Sequence, residues 1–196
     1  MKPYSLYVCD TETTGLDFVK NDVIELSLYR LSDGCQKTWC IKPIDENNIE
    51  TDALRINGHK LEDLKHQTKY GKETYKDAHN VIIEIENWLM EDNVPVNNRV
   101  IIGQNISFDK NMLEYLWIKC DSKDSFPFGR KVIDTIQIEF FLDLCKGNMS
   151  ESYSLNNLTK KYGIKNEKAH TAAADVKATK ELFDKQIDFF KKVLHK

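Results

Sequence analysis

The stretch that decides the fold is SLYVCDTETTG, residues 5–15. The mostly apolar run from Tyr4 to Cys9 predicts a buried strand, and it leads directly into Asp10 and Glu12. Because successive side chains of a strand point to opposite faces, these two carboxylates are expected on the same side. Two unit charges about 4 Å apart repel by roughly 4 kcal/mol at an effective dielectric constant near 20, and a divalent cation between them reverses that cost. Taken alone, an Asp-x-Glu pair is more often a solvated turn that follows a strand.

Two more strands are predicted directly after this stretch. From Val23 to Arg30 the residues Ile24, Leu26 and Leu28 alternate with polar ones, which is typical of a half-buried strand. The run from Thr38 to Lys42 follows the turn signal Asp33-Gly34. Residues 4–42 are therefore predicted to form a three-stranded antiparallel meander.

The rest of the chain predicts helices and two short strands. Val100–Gly103 and Lys131–Ile133 are the predicted strands, and Ser107 is placed as the N-cap of the helix after the first of them. Apolar spacing predicts helices from Ala78 to before Pro95, near 136–146, near 154–162 and over about 171–194, the last with a stripe of Val176, Thr179, Phe183, Ile187, Phe190 and Leu194. This order predicts the α/β fold class, with a mixed central sheet that begins with three antiparallel strands and is flanked by helices. We expect a single domain over residues 1–196.

Composition sets limits on the function. The 196 residues are 41% hydrophobic and 30% charged, which excludes a disordered, collagen-like or low-complexity chain. A net charge of −3 gives no global electrostatic reason to expect a polyanionic partner. The five cysteines include no Cys-x-x-Cys pair, which argues against a disulfide framework and a thiolate zinc site. No apolar run is long enough to span a bilayer, so we expect a soluble, cytoplasmic protein without a membrane partner.

Two further acidic positions follow other predicted elements. Asp109 ends the segment GQNISFD, residues 103–109, where it falls on the first turn of a helix and is also explained by the helix dipole. The segment HTAAAD, residues 170–175, places Asp175 about one and a half turns after His170, with small residues between them. Oxygen ligands suit Mg²⁺ or Mn²⁺ rather than zinc, and two such ions clamp the oxygens of an in-line phosphoryl displacement. The joint occurrence of four acids and a histidine indicates metal-assisted phosphodiester hydrolysis.

These motifs, in this order, resemble the DEDDh branch of the DEDD superfamily of 3′–5′ exonucleases, which has a ribonuclease H-like fold. Residues 10–15 look like its first motif, 105–109 like its second and 170–175 like its third. Weaker similarities join them at 56–58, 133–135 and 154–158. Within the branch, the first and third motifs look most similar to proofreading members that serve bacterial replicative DNA polymerases.

The resemblance implies a catalytic set and its cofactors. Two divalent ions, Mg²⁺ or Mn²⁺, are expected as cofactors, and the implied ligands and base are Asp10, Glu12, Asp109, Asp175 and His170. Asp10, Glu12 and Asp175 would hold the ion that contacts nucleophile and phosphate. Asp10 and Asp109 would hold the second directly or through water, and His170 would deprotonate the attacking water. An imidazole, with an ordinary pKa of about 6.5, is neutral at pH 7 and still basic enough for this task.

The expected substrate is the 3′ end of single-stranded DNA, with release of 5′-mononucleotides. RNA trimming is the nearest alternative, because recognition of the 2′-hydroxyl depends on contacts that the sequence does not reveal. A catalytically dead binding module or a metal-free structural protein are the alternatives of a different class, and neither explains why all five residues are present. We also expect a polymerase or a replication or repair partner, and relatives of this branch make a homodimer possible.

Residues around the motifs are candidates for substrate contact. Thr13, Leu16 and Asn57 are expected to position the 3′ end, together with Asn105 and His170, although turn and core roles explain the first three equally well. Phe108, Tyr153 and Phe183 could stack on bases or pack in the core, and Lys160, Lys161, Lys165 and Lys168 could guide a phosphate backbone or form a solvated loop. Gln104 stands where many relatives carry histidine, and we expect it to alter packing or substrate contact without loss of activity.

Overall fold

The computed structural model describes residues 4–66, 68–69, 72–122, 126–166 and 170–194. The strands are β1 (Ser5–Thr13), β2 (Val23–Arg30), β3 (Gln36–Ile41), β4 (Thr68–Lys69), β5 (Lys72–Glu73), β6 (Tyr75–Lys76), β7 (Arg99–Gly103) and β8 (Val132–Asp134). The helices are α1 (Thr51–Asn57), α2 (Leu61–Lys65), α3 (Ala78–Met90), α4 (Ile106–Lys119), α5 (Thr135–Lys146), α6 (Leu155–Tyr162) and α7 (Ala172–Leu194).

Six of the strands form one mixed sheet in the order β6-β3-β2-β1-β7-β8. β1, β2 and β3 form the predicted antiparallel meander, while β7 pairs parallel to β1, and β8 parallel to β7. β4 and β5 form a separate antiparallel pair. The predicted α/β class, with a mixed sheet flanked by helices, is therefore confirmed.

Alternation along the central strands distributes apolar side chains to both faces of the sheet. Tyr7 and Cys9 of β1 pack in one core cluster with the buried sides of α3 and α4, whereas Val8 packs in another with Val176 and Phe183 of α7. The sheet is thus covered by α3 and α4 on one face and by α7 and α5 on the other. None of the described helices is both long enough and apolar enough to cross a bilayer.

Several predicted boundaries shift in the structure. β1 continues to Thr13, so Asp10 and Glu12 lie inside the strand, not in a turn beyond it. The prediction of Ser107 as an N-cap is wrong, because α4 begins at Ile106 with Asn105 in the cap position. The last predicted stripe is buried only over its first part: Val176 and Thr179 are buried, but Leu194 is 80% exposed. The short α1 and α2 and the strand β6 were not predicted, because each is too short to develop a period.

Candidate active site

Three carboxylates meet at the middle of the sheet. Asp10 and Glu12 lie on the same side of β1, and α7 brings Asp175 over them. One carboxylate oxygen from each of the three lies within 4.8 Å of the others, and among the described residues this is the acidic set close enough to hold an ion together. The expectation that Asp10 and Glu12 share a face and converge with Asp175 is borne out by this geometry.

The Asp175 carboxylate is held by its own approach loop. Its Oδ1 accepts a hydrogen bond from Nδ2 of Asn166 (2.7 Å), and its Oδ2 accepts one from the backbone N–H of His170 (3.0 Å). The residue lies in the first turn of α7, where the helix dipole favours a negative charge. Asn166 was not identified from the sequence, because nothing in the local pattern distinguishes it from an ordinary loop residue.

Asp109 reaches β1 from the opposite helix layer. It lies in the first turn of α4, as predicted, and is only 4% exposed. Its Oδ1 accepts hydrogen bonds from the backbone N–H of Thr11 (2.9 Å) and from the Thr11 hydroxyl (2.8 Å). This pair of bonds anchors the start of α4 to the strand segment between Asp10 and Glu12.

The acids are too crowded to be fully charged without a counterion. Burial raises the pKa of Asp10 well above its usual range, and the negative charges of Asp109, Glu12 and Asp175 raise it further. Burial also raises the pKa of Asp109 to about 7, although its hydrogen bonds from Thr11 act in the opposite direction. The crowded carboxylate oxygens of this site, among which the pKa values of Asp10 and Asp109 are raised, are the donor set that a hard divalent cation stabilises, so these residues fit the expected metal ions.

His170 lies directly before α7 in a left-handed backbone conformation (φ 69°), which is uncommon for a residue other than glycine. Its backbone N–H is used to hold Asp175, and its side chain is exposed. The exposed residue is accessible to water and to substrate. The role of His170 as the base remains a prediction.

The predicted substrate contacts have different environments. Leu16 is 77% exposed after the first motif, and Asn105 is also exposed, so both are accessible to a ligand. Thr13 is buried, and its hydroxyl donates to the carbonyl of Gly15 (2.7 Å). Asn57 is buried as well: its Nδ2 donates to the Thr13 carbonyl (3.0 Å). Asn57 therefore holds the first-motif loop from within.

Most of the other candidates already have structural partners. Lys161 pairs with Glu139 (2.8 Å) and Asp143 (2.7 Å), whereas Lys160 and Lys165 are exposed and Lys168 lies outside the described residues. Phe183 is a core residue, and Phe108 packs against the core of α3 and α4. Tyr153 packs against the cluster beneath α6, with its hydroxyl 3.3 Å from Oδ2 of Asp143.

The fold and the acid cluster together define a nuclease of the ribonuclease H-like type. A family model described as Exonuclease (RNase_T) matches residues 7–183, which contain all three motifs. The chain therefore belongs to this exonuclease family. The resemblance to DEDD-type 3′–5′ exonucleases is confirmed at the level of the family, as is the predicted class of enzyme, and membership implies dependence on divalent metal.

Individual relatives agree with this assignment. The chain is 27% identical over 187 residues to the PolC-type DNA polymerase III of Thermotoga petrophila, covering 95% of this chain and 12% of that protein. It is 24% identical over 193 residues to the PolC-type DNA polymerase III of Staphylococcus aureus, covering 98% and 12%. The chain thus spans about an eighth of the length of these curated relatives.

The fold also matches a solved exonuclease. Escherichia coli exonuclease I in complex with a dT13 oligonucleotide superposes with a TM-score of 0.72 and 19% identity, covering 94% of this chain and 40% of that one. At this identity the match establishes the fold, which is ribonuclease H-like as expected.

Proposed function

We propose that this chain hydrolyses the phosphodiester bond at the 3′ end of single-stranded DNA and releases 5′-mononucleotides, with Mg²⁺ or Mn²⁺ as cofactor. The observation that carries the proposal is the convergence of Asp10, Glu12 and Asp175 within 4.8 Å, with Asp109 fastened to the intervening Thr11. Single-stranded DNA as the substrate is supported by the dT13 oligonucleotide bound to Escherichia coli exonuclease I.

In the proposed mechanism each acid has a defined task. Asp10, Glu12 and Asp175 would hold one divalent ion, and Asp10 and Asp109 would hold a second, directly or through water. When bound, such ions neutralise charge that develops on the phosphate and lower the pKa of water. The fixed positions of Asp109 and Asp175, each set by two hydrogen bonds, reduce the reorganisation needed for binding.

His170 acts as the general base. It takes a proton from the attacking water, whose oxygen forms a bond to phosphorus while the bond from phosphorus to the 3′ oxygen of the preceding nucleotide breaks. The leaving 3′ oxygen takes up a proton from solvent, so the products are a 5′-mononucleotide and a strand with a new 3′-hydroxyl. Leu16, which is 77% exposed, packs against the terminal base. Asn105 and Thr13 contact the terminal nucleotide, and Asn57 holds Thr13 in place through a hydrogen bond to the Thr13 carbonyl.

The test compares end-labelled oligonucleotides. DNA and RNA labelled at the 5′ or the 3′ end are incubated with Mg²⁺, Mn²⁺ or chelator, together with the wild type, Asp10→Ala and His170→Ala. The expected result is a ladder of single-nucleotide steps from the 5′ label and an immediate mononucleotide from the 3′ label, on DNA and only with metal. Internal cleavage or digestion in chelator contradicts the proposal. A preference for RNA oligonucleotides contradicts the proposed substrate and makes RNA the substrate instead of DNA.

The cellular context is part of the proposal. PolC-type relatives carry the matching segment within a polypeptide about eight times longer, which supports a polymerase partner for this domain of residues 1–196. The test is co-purification with a replicative polymerase subunit and increased removal of mismatched 3′ ends in the complex. Light scattering on the isolated chain tests for the homodimer that the resemblance makes possible.

A further inference from the structure

A strained turn connects the central sheet to the helix that carries Asp109. β7 ends at Gly103, and α4 begins at Ile106, so Gln104 and Asn105 make the whole connection. Asn105 adopts a left-handed conformation (φ 57°, ψ 44°) and has no side-chain capping bond. A non-glycine residue in this region costs of order 1 kcal/mol or more and persists only when its surroundings hold it.

The surroundings hold this turn from two sides. The backbone N–H of Asn105 donates to Oδ1 of Asp134 (3.2 Å), at the end of β8. The side-chain amide of Gln104 uses both of its ends: Oε1 lies 2.5 Å from the Thr135 hydroxyl, and Nε2 donates to the Tyr153 carbonyl (2.5 Å). Gln104 therefore links the turn to the start of α5 and to the loop before α6.

The loop that Gln104 contacts is itself fixed. The backbone N–H and the hydroxyl of Ser150 both bond to Oδ2 of Asp143, which is 1% exposed, and the Tyr153 hydroxyl lies 3.3 Å from the same atom. Lys161 of α6 binds the other oxygen of Asp143 (2.7 Å). The Tyr153 carbonyl is consequently a rigid acceptor, and a rigid acceptor can hold a strained turn.

We propose that Gln104 is a positioning residue of the active site, which holds the turn before α4 and thereby sets the positions of Asn105 and Asp109. This inference rests on the proposed function for its kinetic consequence, but its structural consequence is measurable without activity. To make both of these hydrogen bonds, the side chain at position 104 must carry one donor and one acceptor on a single planar group. A neutral imidazole meets the same requirement, whereas a thioether of similar size meets neither part.

The experiment uses three variants of the full chain. Gln104→Met keeps the volume and removes both hydrogen bonds, and Gln104→His keeps one donor and one acceptor. Tyr7→Phe is the matched control, because it removes a part-buried hydrogen bond far from the turn, from the Tyr7 hydroxyl to Asp92 (2.7 Å). Steady-state kinetics on single-stranded DNA at pH 8, manganese dependence, thermal unfolding and hydrogen exchange of the metal-free protein are measured for each.

The expected result separates positioning from general stability. In Gln104→Met, kcat falls about tenfold or more, because a misplaced ligand shell costs catalysis, while KM for a short oligonucleotide changes less than about twofold. Amides of residues 105–109 exchange faster, and the manganese concentration for half-maximal rate rises. Gln104→His restores kcat and the half-maximal manganese concentration to within about threefold of the wild-type values. Tyr7→Phe lowers the melting temperature without altering kcat or exchange at the turn.

The remaining outcomes of this experiment test the inference and the proposed function separately. The inference is wrong if Gln104→Met keeps the wild-type kcat and the wild-type amide exchange rates at the turn. It is also wrong if kcat falls by no more than in Tyr7→Phe at a comparable loss of stability. If Gln104→Met does not fold, Thr135→Val replaces it and is judged by the same criteria, since it removes the hydroxyl that donates to Oε1 of Gln104 and to the Gly103 carbonyl (3.1 Å). If the wild type has no nuclease activity, the proposed function fails, and exchange at residues 105–109 alone decides whether Gln104 holds the turn.

Discussion

Replacing Asp109 by asparagine is expected to stabilise the metal-free protein at pH 8 and to abolish its catalysis. Burial raises the pKa of Asp109 in the folded protein to about 7, compared with about 3.9 in an unfolded chain. Because the folded pKa is the higher one, the stability that this group contributes is complete below about pH 3.9 and is lost as the pH rises through about 7. At pH 8 the folded protein therefore carries a buried charge that the unfolded chain would carry at lower cost.

The magnitude follows from this difference in pKa. A pKa difference of about three corresponds to about 4 kcal/mol, which is the largest increase in the free energy of unfolding that removal of the charge can give. Asparagine keeps an acceptor for the two bonds from Thr11, but its new amide donor is left in a buried position at a cost of about 1–3 kcal/mol. The expected net gain at pH 8 is about 2 kcal/mol, or about 4–8 °C in melting temperature for a chain of this size.

The assay is thermal and urea unfolding in chelator between pH 4 and pH 8.5. Asp92→Asn is the matched control, since hydrogen bonds from Arg99 and Tyr7 outweigh burial and hold the pKa of Asp92 below its usual range. That variant is expected to be less stable than the wild type at pH 8. The reasoning is refuted if Asp109→Asn is also less stable at pH 8, or if its stability relative to the wild type does not change between pH 4 and pH 8. Manganese should raise the melting temperature of the wild type more than that of Asp109→Asn.

Three further predictions concern other parts of the molecule. His170→Ala should lower kcat by about 10²–10⁴-fold, and an unchanged kcat in the folded variant would remove the assigned base. Gly103→Ala should destabilise the protein by about 1–3 kcal/mol in urea unfolding, because the added Cβ would lie 2.6 Å from Cδ1 of Ile106 and 3.1 Å from the backbone carbonyl oxygen of Cys9; unchanged stability would contradict the close approach. Lys161→Met should destabilise the protein by about 2 kcal/mol or more at pH 7, since it leaves Asp143 without its main partner. Burial raises the pKa of Asp143, but the hydrogen bonds from Lys161 and Ser150 outweigh it and lower that pKa to about 2, so this difference should shrink as the pH falls from about 4 to 2, and a difference independent of pH would argue against the ion pair.

Much of the fold could be predicted because its central elements have strong local patterns. β2 spans Val23–Arg30 as expected, since alternation of apolar and polar residues is a property of the strand itself. α3 likewise begins at Ala78, where apolar residues recur at three and four positions. The start of α4 was misplaced because Asn105 and Ser107 are about equally good caps by local preference, and Asn105 takes a conformation that residues far along the chain maintain.

The convergence of Asp10, Glu12 and Asp175 could be predicted from the sequence, but the contacts that support the candidate site could not. The four acids and His170 are recognisable from their residue types and spacing. The contacts that position them join Thr11 to Asp109, 98 residues apart, and Thr13 to Asn57, 44 residues apart. No short segment contains both partners of such a bond, so the pattern of residues cannot indicate it.

The sequence by itself therefore determined the class of fold and the acids that we propose as metal ligands, because strand alternation, helix spacing and carboxylate chemistry are local properties. Only the tertiary structure decided which side chains remain accessible. It buried Asn57 against the first motif and committed Lys161 to Asp143, while it left Leu16 exposed. It also assigned Asn166 and Gln104 to supporting positions. The physical reason is that burial and hydrogen-bond partnership depend on which elements pack together, and packing is set by the whole chain.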